Sequence, residues 1–450
     1  MVAVRCITLC LPLVLLQTVS AYTLVDAVDA VRVYAPELAA AAERLASDEQ
    51  RIQGQAQLLP RVSLDTRYAS GPRRSTMQFG SDGRVAELNG ALSLRQPVFD
   101  VPRYARYERG IAIAEEGAAA FSLSRQKIVL ETANAYLDVL GARQNLKTTE
   151  TSLAALDWQL AKVRDEAALG LSDSIDAREA GAAYDAAAAE HLGVLHTLRN
   201  SERTFERLTG LDATQVTGAF LSLPPDHDRL LKELTAQGVH PKNNAALRHG
   251  LTKIEVAQAE YRERKGLRLP TVELYAQQHY RDESKGTFDY SARRHSSSFG
   301  VALNWDIYLG GATQSQVREA EHNLISLKKK AQALRLSADS AIRRQILAVE
   351  LGGEQIRATR RQVRSAESKL AATRDGKELG VRSNLDILKA EDSFSDAKRQ
   401  LANAYHAYFE ARLQLAFEQG RLEDGTLKTI SDALSPAGTE TVDGMQYENG

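Results

Sequence analysis

The chain has 450 residues, 57 of them Lys or Arg and 58 Asp or Glu, for a formal net charge of −1 at pH 7. That balance leaves no basic excess of the kind nucleic-acid binding needs. With 26 % charged residues, the composition also excludes a bundle of membrane-spanning helices. The eleven prolines are unevenly placed: none lies between Pro102 and Pro224 or between Pro270 and Pro436, and such gaps point to very long helices.

Taken in chain order, residues 1–21 read as a secretory signal peptide. Arg5 gives the positive start, Cys6 to Leu16 the apolar run, and Val19-Ser20-Ala21 the small residues for cleavage before Tyr22. Both cysteines, Cys6 and Cys10, fall inside it, so the mature chain has no disulfide, no Cys-based metal site and no thiol nucleophile. The residues before Cys10 do not form a lipoprotein box, which argues against a lipid anchor. No later stretch approaches the ~18 apolar residues of a spanning helix.

From Leu24 to Gln57 an Ala-rich pattern predicts a helix, with Pro36 near its start and Pro60 ending it. The period then changes to two. Val62, Leu64, Thr66 and Tyr68 alternate with polar neighbours, as do Leu88, Gly90, Leu92 and Leu94, with a polar, Gly-rich link between; this is a strand hairpin over 61–97. Next comes a helical hairpin over 103–210. Its first arm, Arg103 to Leu169, would be about 100 Å long. A turn at Gly170 and Ser172-Asp173 leads to a return arm from Ile175 to Leu208. Leu153, Leu156, Leu160, Val163 and Ala167 alternate spacings of three and four, the seam of a coiled coil. His227, between Asp226 and Asp228, could in principle ligate a metal, but its place after Pro224-Pro225 predicts a solvated linker loop.

The same order then recurs at an offset of 210 residues. Leu58-Leu59-Pro60 returns as Arg268-Leu269-Pro270, and Leu169-Gly170-Leu171 as Leu379-Gly380-Val381. Asp176 is matched by Asp386 and Ala180 by Ala390. The second copy holds a strand hairpin over 270–308, with Val272, Leu274 and Ala276 and then Phe299, Val301, Leu303, Trp305 and Ile307 on one face. A helical hairpin over 312–420 follows. The expected organisation is therefore repeat 1 over 22–235, repeat 2 over 236–420, and a polar C-terminal tail over 421–450 without an assigned role.

A soluble sandwich also shows period-two strands. Here the export signal, the near-membrane strand length and the aromatics at strand ends (Tyr68, Phe99, Tyr280, Trp305, Tyr308) favour a bilayer-spanning barrel. Four strands cannot close a barrel, and open edges are not tolerated in lipid, so several chains must share one. The fold class expected is an α+β membrane protein, a bilayer-spanning β-barrel shared by several chains and continued by long α-helical coiled coils. The alternative is a periplasmic coiled-coil structural or adaptor protein. No P-loop, GxGxxG, GxSxG or HExxH is present, so no enzyme activity, cofactor or metal is expected.

Residues 24 to about 420 resemble the TolC-type outer-membrane efflux protein family. In the first repeat the resemblance rests on Ala35-Pro36-Glu37-Leu38, Leu58-Leu59-Pro60 and Gln96-Pro97-Val98-Phe99-Asp100. It continues with Thr132-Ala133-Asn134-Ala135-Tyr136-Leu137-Asp138-Val139-Leu140 in the long helix. In the second repeat it rests on Leu269-Pro270, Asp306-Ile307-Tyr308-Leu309-Gly310-Gly311, and Leu379-Gly380-Val381 ahead of Asp386. The resemblance implies a homotrimer in which each chain gives four strands to one twelve-stranded barrel in outer-membrane lipid. The helices would form a hollow periplasmic tunnel, with an equatorial belt where the shorter segments and the chain end pack. It further implies a passive exit duct for small-molecule efflux or type I secretion, docked through a periplasmic adaptor protein to an inner-membrane RND-type or ABC-type pump.

Leu169, Gly170 and Leu171, with Leu379, Gly380 and Val381, match the family's hairpin tips, where the adaptor engages. Asp386 matches the first of two aspartates that line the tunnel constriction. The second position, one helical turn on, is Lys389, so acidic rings would give way to near-neutral i, i+3 pairs. Asp176 matches a residue that bonds across to the second hairpin; the family's tyrosine partner is replaced by Lys377, and a family arginine is matched by Arg382. The resemblance thus implies a closing latch from Asp176 to Lys377 or Arg382, worth about 0–1 kcal/mol if exposed.

Overall fold

The long helices dominate the chain, as the proline gaps predict. The structure, a computed structural model, describes residues 22–73, 83–169, 173–220, 223–224, 226–237, 241–285 and 290–434. The expected signal peptide, and Gly170 and Leu171 of the first tip, lie outside the described residues. The described chain falls into two units, one drawn from residues 38–126 and 240–341, the other from residues up to 37, 127–239 and 342 onward.

The first unit holds the sheet. Strands β1 (Arg61–Arg73), β2 (Gly83–Phe99), β3 (Thr271–Lys285) and β4 (Tyr290–Asn304) pair antiparallel in the order β1-β2-β3-β4. The two repeats join in this sheet through β2 and β3, with Leu94 opposite Ala276 and Gly90 opposite Tyr280. Period-two alternation puts Val62, Leu64, Leu92, Leu94, Leu274, Phe299, Val301 and Leu303 on one face, all exposed. Exposure of so many apolar side chains on a single face marks a surface made for a non-aqueous neighbour. The second hairpin is shorter than expected: Trp305, Ile307 and Tyr308 lie beyond β4, in the stretch that turns at Gly310 and Gly311 with φ of 62° and 85°.

Around the sheet junctions lie most of α2 (Ala35–Ala56), α6 (Ala245–Gly266) and the first parts of α3 (Val101–Ala168) and α7 (Ala312–Glu378). α2 packs closely on α3. A Cβ added to Gly110 would lie 2.5 Å from the Gln50 carbonyl oxygen, and one at Gly117 would collide with Ser47 Cβ. Two glycines seven residues apart thus let the backbones approach along one stripe.

The second unit is helical. It comprises α1 (Leu24–Val31), α4 (Ser174–Thr209), α5 (His227–Gln237), α8 (Asn384–Glu418), α9 (Asp424–Leu434) and the remainders of α3 and α7. Its core draws on Leu24, Val28, Tyr136, Leu137, Leu140, Phe205, Tyr408, Phe409, Leu413 and Ile430. The single helix expected from Leu24 to Gln57 is instead two, broken at Arg32–Tyr34. Pro36 has no N–H to donate to the Arg32 carbonyl, so the ladder cannot run through, whereas proline is well tolerated in the first turn of α2.

Two further expectations are corrected. The stretch from 421 does not begin as a free polar tail: α9 buries Leu427, Ile430 and Leu434 in the core, and the Leu434 carbonyl accepts from the Ala219 N–H at 2.9 Å. Residues 435–450 lie outside the described set. His227 is not in a solvated loop. It opens α5 at 4 % exposure, with Nδ1 2.9 Å from the Tyr408 hydroxyl, while Asp226 beside it accepts two hydrogen bonds from Arg412 on α8 at 3.0 and 2.8 Å. Desolvation by burial, reinforced by the Arg357 charge, holds the imidazole below its usual pKa. Among the described residues no helix is long and apolar enough to cross a membrane.

Candidate functional site

The second helical hairpin turns at Leu379-Gly380; of the first tip only Leu169 is among the described residues. There α7 closes with a Schellman motif. The Val381 N–H donates to the Gly376 carbonyl at 2.9 Å, and the Gly380 N–H to the Lys377 carbonyl at 3.0 Å, with Gly380 at φ 77°. A left-handed residue is needed at that position, and glycine adopts it without a Cβ penalty. The tip side chains have little cover: Leu169, Leu379 and Val381 are 75 %, 80 % and 73 % exposed.

α8 then starts on a capping box. The Asp386 N–H donates to Ser383 Oγ at 3.1 Å, and the Ser383 N–H donates to Asp386 Oδ2 at 3.0 Å. These bonds, first from the Ser383 backbone and then from its hydroxyl, hold the Asp386 carboxyl below the usual carboxylate range, with smaller help from the Arg382 and Lys389 charges. Lys389 is therefore near enough to attract Asp386, but the two form no ion pair; the carboxylate is committed to its own helix end. Arg382 folds back over the end of α7, where a Cβ on Gly376 would meet its Cγ at 2.8 Å.

α4 starts differently. Its N-cap is Asp173, whose carboxylate accepts from the Ile175 N–H at 3.3 Å. Asp176, in the first turn, bonds to the second hairpin through Asn384, whose Nδ2 donates to Asp176 Oδ2 at 2.9 Å. Asn384 Oδ1 in turn accepts from Gln159 Nε2 on α3 at 3.1 Å. Gln159 and Asn384 are 6 % and 2 % exposed, so a buried amide pair ties α3 to α8 and, through Asp176, to α4. The packing beneath is apolar, with Leu156, Leu160, Ala180 and Leu388 in one cluster. Sequence reasoning passed over Gln159 and Asn384. The available signal was a glutamine three residues after Leu156 and four before Val163, a polar residue at seam spacing.

The sheet has a second face, opposite the apolar one. Across the strands it carries the rows Ser63–Ser93–Gln277–Ser298, Asp65–Ala91–His279–Ser296 and Arg67–Asn89–Arg281–Arg294. Arg95 pairs with Glu273 at 3.0 Å, and Arg281 pairs with Glu87 while donating to Asn89 Oδ1 at 3.1 Å. One face apolar and exposed, the other polar and charged, is the pattern of a strand set between lipid and a watery lumen.

Comparison with known proteins agrees. The outer membrane efflux protein family matches residues 28–211 and 241–421, the two repeats. The outer membrane protein TolC of Salmonella enteritidis is 28 % identical over 428 residues, covering 90 % of this chain and 84 % of that protein. The proteases secretion protein PrtF of Dickeya chrysanthemi is 26 % identical, covering 87 % of each. Among solved structures, the outer membrane protein VceC of Vibrio cholerae superposes with a TM-score of 0.76 at 19 % identity, covering 89 % of this chain and 97 % of that one. Four barrel strands, long helical hairpins and a family match over both repeats lead to one conclusion: the chain belongs to the outer membrane efflux protein family, as an outer-membrane channel with a periplasmic helical tunnel rather than a free-standing coiled-coil protein.

Proposed function

We propose that three copies of this chain close one twelve-stranded barrel and one helical tunnel, forming a passive exit duct that performs no chemistry of its own. The observation that carries this reading is the sheet. Its outer strands, β1 and β4, have no partner on their far sides within the described chain, and its apolar face is exposed. In lipid such edges must be paired by another copy.

On this reading the exposed Leu169, Leu379 and Val381, with Gly170, Leu171 and Gly380, form the tips that dock a periplasmic adaptor. The adaptor in turn brings an inner-membrane pump of the RND or ABC type, which selects the cargo. Asp386 and Lys389 line the closed periplasmic mouth. Asp176, already held by Asn384, together with Lys377 and Arg382, makes the contacts between hairpins that keep the mouth shut. The family's membership in efflux and secretion systems supports such partners.

The test is the mass and conductance of the full chain purified in detergent. Light scattering should give three times the 49.3 kDa of one chain, less the signal peptides, and the same preparation should open pores in a planar bilayer. A monomer, or a trimer without conductance, would overturn the duct.

A further inference from the structure

The polar face of the sheet is not uniformly charged. One row, Arg67–Asn89–Arg281–Arg294, sets three arginines at one level across the four strands. Arg281 and Arg294 are directly opposite each other on β3 and β4, and like charges so placed repel unless something neutralises them. Arg281 has a neutraliser, Glu87 on β2. Arg67 and Arg294 have none: among the described residues neither is in an ion pair, although Asp65 and Glu283 stand on the neighbouring rows. On the opposite face, by contrast, Arg293 is paired with Asp282 at 3.3 Å.

Their position sharpens the point. Arg67 lies on β1 and Arg294 on β4, the two edge strands, so the arginines without a partner sit where one copy would meet the next. Arg67 is six residues into β1, about 20 Å from the periplasmic start of the strand, which sets the row towards the outer end of the apolar band. The row also lines a concavity of about 530 Å³, shared with Asp65, His279 and Ser296.

We propose that Arg67, Arg281 and Arg294 form a binding site for multivalent oxyanions on the lumen wall near the outer end of the barrel. Guanidinium forks bind phosphate and carboxylate oxygens in pairs. A lumen narrowed by low-dielectric walls strengthens the attraction. The site makes the outer opening anion-attracting, independently of the charges at the periplasmic mouth. The inference rests on the reading above that copies of this chain close a barrel with the polar face inward.

The experiment uses the full chain inserted into planar bilayers, with inorganic tripolyphosphate as the probe. Added on the barrel side, tripolyphosphate should block the current in a voltage-dependent way. The blocking constant should weaken about tenfold or more in Arg67→Gln/Arg294→Gln, the scale of one or two lost charge-assisted contacts. Added on the tunnel side, it should block less, because the row is far from that entrance. Block of equal strength from both sides, or a blocking constant unchanged in the double variant, overturns the site. So does a third result, in which the double variant blocks normally but its oligomer dissociates at lower temperature; the arginines would then be seam ion pairs. Absence of any pore removes the duct reading itself, and with it this inference, whereas pores of ordinary conductance with unaltered block remove the inference alone.

Discussion

Asp176 and Asp386 occupy the same place in the two repeats, 210 residues apart, in the first turn of a return helix. They do different things because of the residue three positions earlier. In repeat 2 that residue is Ser383, whose hydroxyl and N–H both bind the Asp386 carboxylate, so Asp386 is spent on its own helix end. In repeat 1 it is Asp173, a second anion. Asp173 caps α4 with its carboxylate and has no hydroxyl to donate to Asp176. Asp176 therefore turns outward to Asn384. The two return helices start at matching positions, and the N-cap residue separates the aspartate that closes its own helix from the one that joins the hairpins.

The largest effect should come from breaking the join. Asn384→Leu removes the donor to Asp176 and the acceptor for Gln159, leaving a buried amide without its partner, at a cost of about 1–3 kcal/mol. The melting temperature of the full chain should fall, and the resting channel should conduct more. Replacing Gln159 by Leu as well should recover part of the loss, since removing both partners of a buried hydrogen bond costs less than orphaning one. A melting temperature unchanged in the single variant would mean that the amide pair does not hold the hairpins.

A smaller effect should follow from Ser383→Ala. The lost cap costs about 1 kcal/mol, and the variant also titrates differently. The Asp386 pKa is depressed in the folded chain. Its contribution is therefore present above the unfolded carboxylate value, about 3.9, and is lost as pH falls through the depressed folded pKa. Without the Ser383 hydroxyl that acid limb should flatten, and the carboxyl signal of Asp386, followed by NMR, should move up towards the ordinary range. If the signal stays depressed in Ser383→Ala, the backbone N–H alone sets it.

Much of this comparison was legible in the sequence. The change of period after Pro60 and Pro270 located the strands, since side chains in a strand alternate whatever lies on either face. The 210-residue offset placed Asp386 opposite Asp176, and Leu379-Gly380 located the second turn. Asn384 was not legible. Its role depends on an approach of α3 to α8 across 225 residues of sequence, and an asparagine beginning a helix looks like an ordinary first-turn residue. His227 was misplaced for a similar reason: two flanking aspartates suggested water, while Tyr408, which bonds it, and Arg412, which bonds Asp226 beside it, lie far along the chain on α8. α9 carried its signal locally. Leu427, Ile430 and Leu434 are spaced three and four apart, but they stand among polar residues at the chain end, where the average composition hid them.

The smallest effect on stability, and the sharpest on transport, should come from Lys389. The side chain makes no ion pair with Asp386, yet its charge lowers that carboxyl, behind Ser383 and Arg382 in weight. In repeat 1 the matching position is Glu179, so the two repeats carry opposite charges one turn beyond their paired aspartates. On the proposed mouth geometry Lys389 offsets Asp386, and the closed end should be only weakly cation-selective. Lys389→Asp should leave stability within about 0.5 kcal/mol, as expected for an exposed side chain outside the core. Its reversal potential in a salt gradient should shift towards cations, and micromolar multivalent cations should begin to block from the periplasmic side. Strong cation preference already present in the wild-type chain, and lost only in Asp386→Asn, would mean that Lys389 does not balance Asp386 and that the aspartate sets selectivity alone.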